Sequence, residues 1–200
     1  MLLVPVVAQS PERPRGSVRP LGDYIDGRFL APEGDALGSV NPARGGARVL
    51  ETAASVARVA LAANAASAAA SAWARLSLAE RVVHLHRFRA AIAARTAELA
   101  EAITLETGKL RTEATAEVGS LVARFDLVEK LVVRELGDRV VPGRPAERLR
   151  HHPMGVVGVI GPFNFPLHLC HAHVIPALMT GNAVVVKPSE VTLLAAQRYA

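Results

Sequence analysis

Cysteine is almost absent from the chain: Cys170 is the only one in 200 residues. No internal disulfide can form, which excludes a small disulfide-stapled scaffold and fits a reducing compartment. There is also no charge-free run of the ~18 apolar residues that a membrane helix needs, so the expectation is a cytoplasmic protein without a membrane partner. Neither a GxGxxG nor a Walker-type phosphate loop occurs, and no internal repeat is visible. Charge of one sign is only mildly in excess, with 23 Lys and Arg against 18 Asp and Glu, a net +5 that is spread along the chain. Such a weak, dispersed field does not call for a nucleic-acid partner. What the chain does have is apolar content: half of its residues are available to form a buried core, which excludes collagen-like and disordered classes for the bulk of it.

The first twenty residues stand apart. In MLLVPVVAQS no Lys or Arg precedes the apolar stretch, and Pro5 interrupts it, both of which argue against a secretory signal. Pro5, Pro11, Pro14 and Pro20, with Arg13, Arg15 and Arg19 among them, read as a disordered tail over residues 1–20.

From Tyr24 to Phe29 the sequence YIDGRF sets Asp26-Gly27 between apolar residues, which predicts a small hairpin. A Gly- and Pro-rich loop is expected to run on to Asn41-Pro42. Residues 53–74 hold 13 alanines and predict a helix whose buried stripe is Val59, Ala63, Ala66, Ala70 and Trp73. Ser77 with Glu80 gives a capping box for a second helix. Thr96 can cap a third, ending near Gly108, and Val118, Leu121, Phe125, Val128 and Val132 mark a fourth that ends before Gly137. Four helices are thus expected before any long strand. Pro142, Gly143 and Pro145 then break the pattern, and residues 146–152 read as an extended arm. Val156 to Ile160 and Ala183 to Val186 are short, continuously apolar runs, as for parallel strands buried on both faces, and the helix-sized stretch 167–179 between them completes a βαβ unit.

Two segments can carry chemistry, each placed where a strand ends and a helix begins, the edge at which open α/β sheets bind ligands. In GPFNFP, residues 161–166, Gly161 and two prolines fix a sharp backbone around Asn164. Its amide can donate to an oxyanion, an effect worth ~3 kcal/mol, or it can simply cap the next helix. After the second strand, Lys187-Pro188-Ser189-Glu190 offers a cation and a carboxylate that can hold ribose hydroxyls. The alternative is a solvated turn in which Ser189 or Glu190 caps a helix opening at Val191.

WARLSLAER (73–81), ETGK (106–109), GPFNFP (161–166) and PALMTGNAVVVKPSE (176–190), in this order and spacing, resemble the amino-terminal part of an aldehyde dehydrogenase over roughly residues 21–200. ETGKLRTEATAEV and NFPLHL…H…IPAL are most similar to the branch of that family that oxidises succinylglutamate semialdehyde in arginine catabolism. The resemblance implies an α/β fold: a helical amino-terminal layer plus the first βαβ unit of a Rossmann-like parallel sheet, as a truncated part of the NAD-binding domain. It implies NAD as cofactor, an aldehyde as substrate, a homo-oligomer in the full-length form, and an arm near 146–152 that reaches another subunit. It makes Asn164 the oxyanion donor, Ile160, Gly161, Pro162 and Phe163 the cofactor path, and Lys187 and Glu190 the ribose site, with Ser189 also among the cofactor-binding residues. A carboxylate at Glu190 repels a 2′-phosphate and so favours NAD over NADP.

The same resemblance places the nucleophilic cysteine and the deacylating glutamate in a catalytic domain beyond residue 200, so the chain is expected to be inactive alone. Cys170 falls among Leu167, Leu169 and Ala172 on a helix, where it reads as a small buried hydrophobe. His168, Cys170, His171 and His173 do not converge on one helix face, so no metal site is expected. His84 and His86, with Arg81, Arg87 and Arg89, read as a solvated basic face. Two rival readings remain: an acylating or phosphate-dependent member of the family, and a non-catalytic module that binds an acidic partner or a full-length subunit.

Overall fold

The computed structural model describes residues 19–136 and 139–200. The tail expected over residues 1–20 lies outside the described residues except for its last two. Of these, Arg19 accepts a hydrogen bond at its carbonyl from Gln197, and the next backbone amide, Leu21, donates to the same side chain at 2.8 Å.

The hairpin at YIDGRF is present as β1 (Asp23–Ile25) and β2 (Arg28–Leu30). Asp26 and Gly27, at φ 51° and 75°, supply the two left-handed residues that a tight turn of this hand requires. The next element corrects the expected loop. β3 (Asp35–Asn41) and β4 (Ala47–Ala54) form an antiparallel pair of seven and eight residues, so two long strands precede the helices. The only buried residues in the pair are Ser39, Asn41 and Leu50. With so few apolar side chains turned inward, the alternation that marks a half-buried strand is faint, and the Pro42, Gly45 and Gly46 turn reads as loop.

Four helices follow. α1 (Ala57–Arg75) begins later than the alanine count suggested; of its expected stripe Ala66 is buried and Ala70 and Trp73 are half-buried, but Ala62 is buried in place of Ala63, and Val59 is 64 % exposed. Ala66, with Ala65, Ala69 and Ala70 beside it, lies against Ala183 and Val185, and no large side chain is needed there because the helix sits close on a strand. α2 (Leu78–Ala94) starts with the predicted box, Ser77 N donating to Glu80 Oε2 at 2.7 Å and Glu80 N to Ser77 Oγ at 3.3 Å. α3 (Thr96–Thr107) is not capped by Thr96, whose hydroxyl donates back to Ala93 O; it ends at Gly108 with φ 72°. α4 (Arg111–Glu135) buries all five predicted residues, Val118, Leu121, Phe125, Val128 and Val132.

β5 (Arg139–Val141) and β6 (Arg144–Leu149) pair antiparallel, so the extended arm starts before residue 146 and its strand ends at 149. β7 (Val156–Ile160), α5 (His168–Met179) and β8 (Ala183–Lys187) form the predicted βαβ unit, with β7 and β8 parallel and Ile160 opposite Lys187. α6 (Leu193–Tyr199) closes the described chain. α2, α3, α4, α5 and α6 share one core around Phe88, Phe125, Val174, Ile175 and Tyr199. The expectation of strands buried on both faces fails for β7, where only Val159 is buried and Ile160 is 83 % exposed. Each of β7 and β8 has a single strand neighbour among the described residues, so the cover that a wider sheet provides is not there. No described helix is long and apolar enough to cross a membrane.

Candidate active site edge

The parallel register fixes the site's geometry. Because Ile160 lies opposite Lys187, the segments that leave β7 and β8 emerge at one edge, and Gly161 N ties them by donating to Lys187 O at 2.8 Å. Gly161 has to lack a side chain: a Cβ there would collide with Cys170 Sγ. Cys170 thus forms the floor beneath the loop. It is buried, and burial pushes its thiol pKa up, the opposite of what a thiolate nucleophile needs.

The loop is held from below by Glu117 of α4 and by Lys109 of the turn between α3 and α4. Leu167 N and His168 N, the first amides of α5, donate to Glu117 Oε1 at 3.2 and 3.1 Å. Glu117 Oε2 accepts from Lys109 Nζ at 2.8 Å, and the same ammonium donates to Asn164 O at 2.7 Å while lying 4.1 Å from the centroid of the Phe165 ring. The amides that a capping Asn164 would take are therefore occupied. Its carboxamide is exposed and has no hydrogen-bond partner among the described residues. Around it, Ile160 and Phe163 are also open, at 83 % and 61 %, whereas Gly161 is buried and Pro162 half-buried.

On the β8 side, Lys187 Nζ and Glu190 Oε2 are 2.9 Å apart with both side chains mostly exposed. The Lys187 ammonium holds the Glu190 carboxyl below the usual carboxylate range. Ser189 is buried, its hydroxyl facing Val191 N at 3.4 Å. The next helix, α6, opens at Leu193 and not at Val191, and neither Ser189 nor Glu190 caps it. Its amides Leu194 N and Ala195 N donate to the buried Glu106, at 2.7 and 2.8 Å. Burial raises the Glu106 carboxyl pKa against the lowering effect of those two amides.

Glu106, Lys109 and Glu117 were quoted above only as letters of a motif, and sequence reasoning gave them no task. The signal was there: Glu106 follows Ile103 by three residues and Glu117 precedes Leu121 by four, so each acid stands in the apolar stripe of its helix. A charge in that place needs a partner across the fold.

The histidines serve the core and the surface. His171 is fully buried, with Nδ1 2.7 Å from Tyr199 Oη among the rings of Phe88 and Phe125, and burial pulls its pKa down to about 3. His168 stands 3.4 Å from Arg124, and His173 is exposed. The expected solvated basic face on α2 needs correction, because α4 and α5 supply partners. Arg89 makes a two-pronged pair with Asp126, His86 Nε2 lies 3.1 Å from Glu129, and Arg81 donates to Met179 O and Leu76 O.

The family described as "Aldehyde dehydrogenase family" matches residues 29–200. The N-succinylglutamate 5-semialdehyde dehydrogenase of Chromobacterium violaceum is 45 % identical over 170 residues, which is 84 % of this chain and 35 % of that protein. Its namesake in Caulobacter sp. K31 is 42 % identical over 179 residues, 88 % of this chain and 37 % of that one. The chain thus spans about a third of the length of these relatives. Among solved structures, a Pseudomonas syringae aldehyde dehydrogenase C mutant in complex with NAD+ and octanal superposes with a TM-score of 0.80 at 33 % identity, covering 88 % of this chain and 36 % of that one. Lactaldehyde dehydrogenase from Escherichia coli gives 0.78 at 33 % identity, covering 88 % and 38 %.

Proposed function

The chain belongs to the aldehyde dehydrogenase family, and from that premise we propose that it forms the amino-terminal part of an active site that oxidises N-succinylglutamate 5-semialdehyde to its carboxylate with NAD. The observation that carries this reading is Asn164, a carboxamide left without a partner on a loop held rigidly at the sheet's carboxyl edge. When the aldehyde carbonyl is attacked, its oxygen gathers negative charge, and an amide N–H already in place stabilises that charge more than it stabilises the ground state.

The residues around Asn164 suit the cofactor. Lys187 and Glu190 form an exposed cation and carboxylate pair beside β8, the donor and acceptor set that vicinal ribose hydroxyls need. Ile160 and Phe163 offer open apolar contact and Gly161 a flat backbone, with Pro162 between them and Ser189 fixing the turn from within. NAD, when bound, supplies the hydride acceptor. Glu190 carries a negative charge that opposes a 2′-phosphate, which favours NAD over NADP. Residues 21–200 serve on this reading as part of the NAD-binding domain of a cytoplasmic enzyme. The β5–β6 hairpin, whose strands pair with each other, serves as its arm toward another subunit of a homo-oligomer. Cys170, buried and with its thiol pKa raised, does not serve as nucleophile.

The test uses residues 1–200 completed by the carboxyl-terminal two thirds of the Chromobacterium violaceum relative. There Asn164→Ala should lower kcat ~100-fold or more while leaving the KM for NAD nearly unchanged. Equal loss in both would remove Asn164 from the chemistry. The 200-residue chain alone should produce no NADH from the semialdehyde, and production abolished by Cys170→Ala would overturn the assignment of Cys170.

A further inference from the structure

Beneath the loop that carries Asn164 lies a buried ion pair to which the reading above gives no part. The Glu117 side chain is fully shielded and that of Lys109 is 15 % exposed. Between them they hold the backbone from Asn164 to His168: Lys109 takes the carbonyl of Asn164 itself and lies over the ring of Phe165, while Glu117 takes the amides of Leu167 and His168. The carboxamide has no hydrogen bond of its own among the described residues, so the backbone on which it stands sets its direction. We propose that Lys109 and Glu117 are positioning residues that aim the Asn164 carboxamide at the reacting oxygen, an inference that rests on Asn164 being the oxyanion donor.

A buried ion pair is a poor source of net stability, since desolvation consumes most of the attraction. What it supplies is geometry, because charge-assisted hydrogen bonds are short and directional. The pair also balances charge. Glu117 suits the amino-terminal end of α5, where the helix dipole is positive, but an unbalanced carboxylate beneath Asn164 would oppose negative charge developing above it. Lys109 neutralises that carboxylate and binds the Asn164 carbonyl with the same ammonium. Misplacement of a reacting group by about 1 Å can cost ~100-fold in rate, so a loosened loop should be visible in kcat even though neither residue touches substrate.

The test compares Lys109→Met, Lys109→Arg, Asn164→Ala and the Lys109→Met/Glu117→Gln pair, the last of which leaves no lone buried charge. Amide exchange is followed by mass spectrometry in the 200-residue chain, and kcat and KM in the completed polypeptide. In Lys109→Met and in the double variant, residues 162–168 should exchange about tenfold faster or more, while residues 118–132 of α4 keep their protection. Their kcat should fall roughly 10- to 100-fold with little change in the KM for NAD, and Lys109→Arg should restore much of both. Unchanged exchange at 162–168, loss of protection spread equally through α4, or a double variant that behaves as the parent would each overturn the proposal. Asn164→Ala separates the two readings, since it should lower kcat without loosening the loop. If it leaves kcat intact while Lys109→Met still frees residues 162–168, the oxyanion reading fails and the clamp stands.

Discussion

His171 sits at the centre of a ring cluster formed by Phe88, Phe125 and Tyr199, with one nitrogen on the Tyr199 hydroxyl and Nε2 buried without a partner. A neutral imidazole tolerates that place and an imidazolium does not, which is why its pKa falls from its ordinary 6.5 to about 3. Between those two values the unfolded chain binds a proton that the folded chain refuses. Stability therefore drops as pH is lowered through this window, by up to about 1.4 kcal/mol per pH unit. Glu106 acts in the opposite sense: its carboxyl pKa is raised in the folded state, so its contribution weakens as pH rises through the carboxylate range. Thermal melts between pH 7 and 5 should show the histidine's slope, and the His171→Phe/Tyr199→Phe pair, which keeps the rings and removes both polar groups, should flatten it. An unchanged slope in that variant would assign the acid sensitivity to another group.

At the scale of elements, two helices that follow the strands of the βαβ unit are capped from outside. α5 takes its cap from Glu117 on α4, and α6 takes its own from Glu106 on α3. The cap partners of α6 are 88 and 89 residues apart in sequence, so each bond closes a large loop and locks a connecting segment. α6 has only seven residues, too few to persist without tertiary support. Glu106→Ala would leave the Leu194 and Ala195 amides buried and unpaired at ~1–3 kcal/mol each. The expected outcome is a lower Tm together with faster exchange through residues 193–199. A Tm equal to the parent's would mean that water replaces the carboxylate at no cost. The same logic explains why Ser189 and Glu190, plausible caps by residue type, do not cap α6, since Glu106 reaches its amides from α3. Thr96 fails for another reason, as it is already the first residue of α3, which starts without a side-chain cap.

For the molecule as a whole, the sheet decides behaviour. β7 and β8 have one strand neighbour each among the described residues, and Val156, Ile160, Phe163 and Phe165 are all more than a third exposed nearby. Unpaired strand edges flanked by apolar side chains are templates for pairing with other chains. α1 covers one face with alanines, but a helix cannot supply the ladder hydrogen bonds. The 200-residue chain should therefore associate as concentration rises, read as a concentration-dependent shift in size-exclusion chromatography. A chain that stays a monodisperse monomer at every concentration would instead support a self-sufficient interaction module.

Much of this fold was determined by the sequence alone, wherever the deciding physics is local. Asp26-Gly27 dictates its turn, Ser77 and Glu80 their capping box, Gly108 a helix end, and the five apolar positions of α4 its buried face, because each depends on residues within one or two turns. The βαβ unit was equally legible, since β-branched apolar runs flank a helix-sized segment. Tertiary structure decided the rest. The β3–β4 hairpin turns few apolar residues inward, α1 turns Ala62 inward rather than Ala63 and the bulkier Val59, and β7 lies open because burial depends on neighbours and not on side-chain type. The support of the candidate site belongs to this second class. Lys109 meets Asn164 across 55 residues, Glu117 meets Leu167 across 50, and Glu106 meets Leu194 across 88. No local pattern encodes such bonds, because a buried charge shows in the sequence only that it needs a partner, and the packing of helices against the strand edge determines which one it finds.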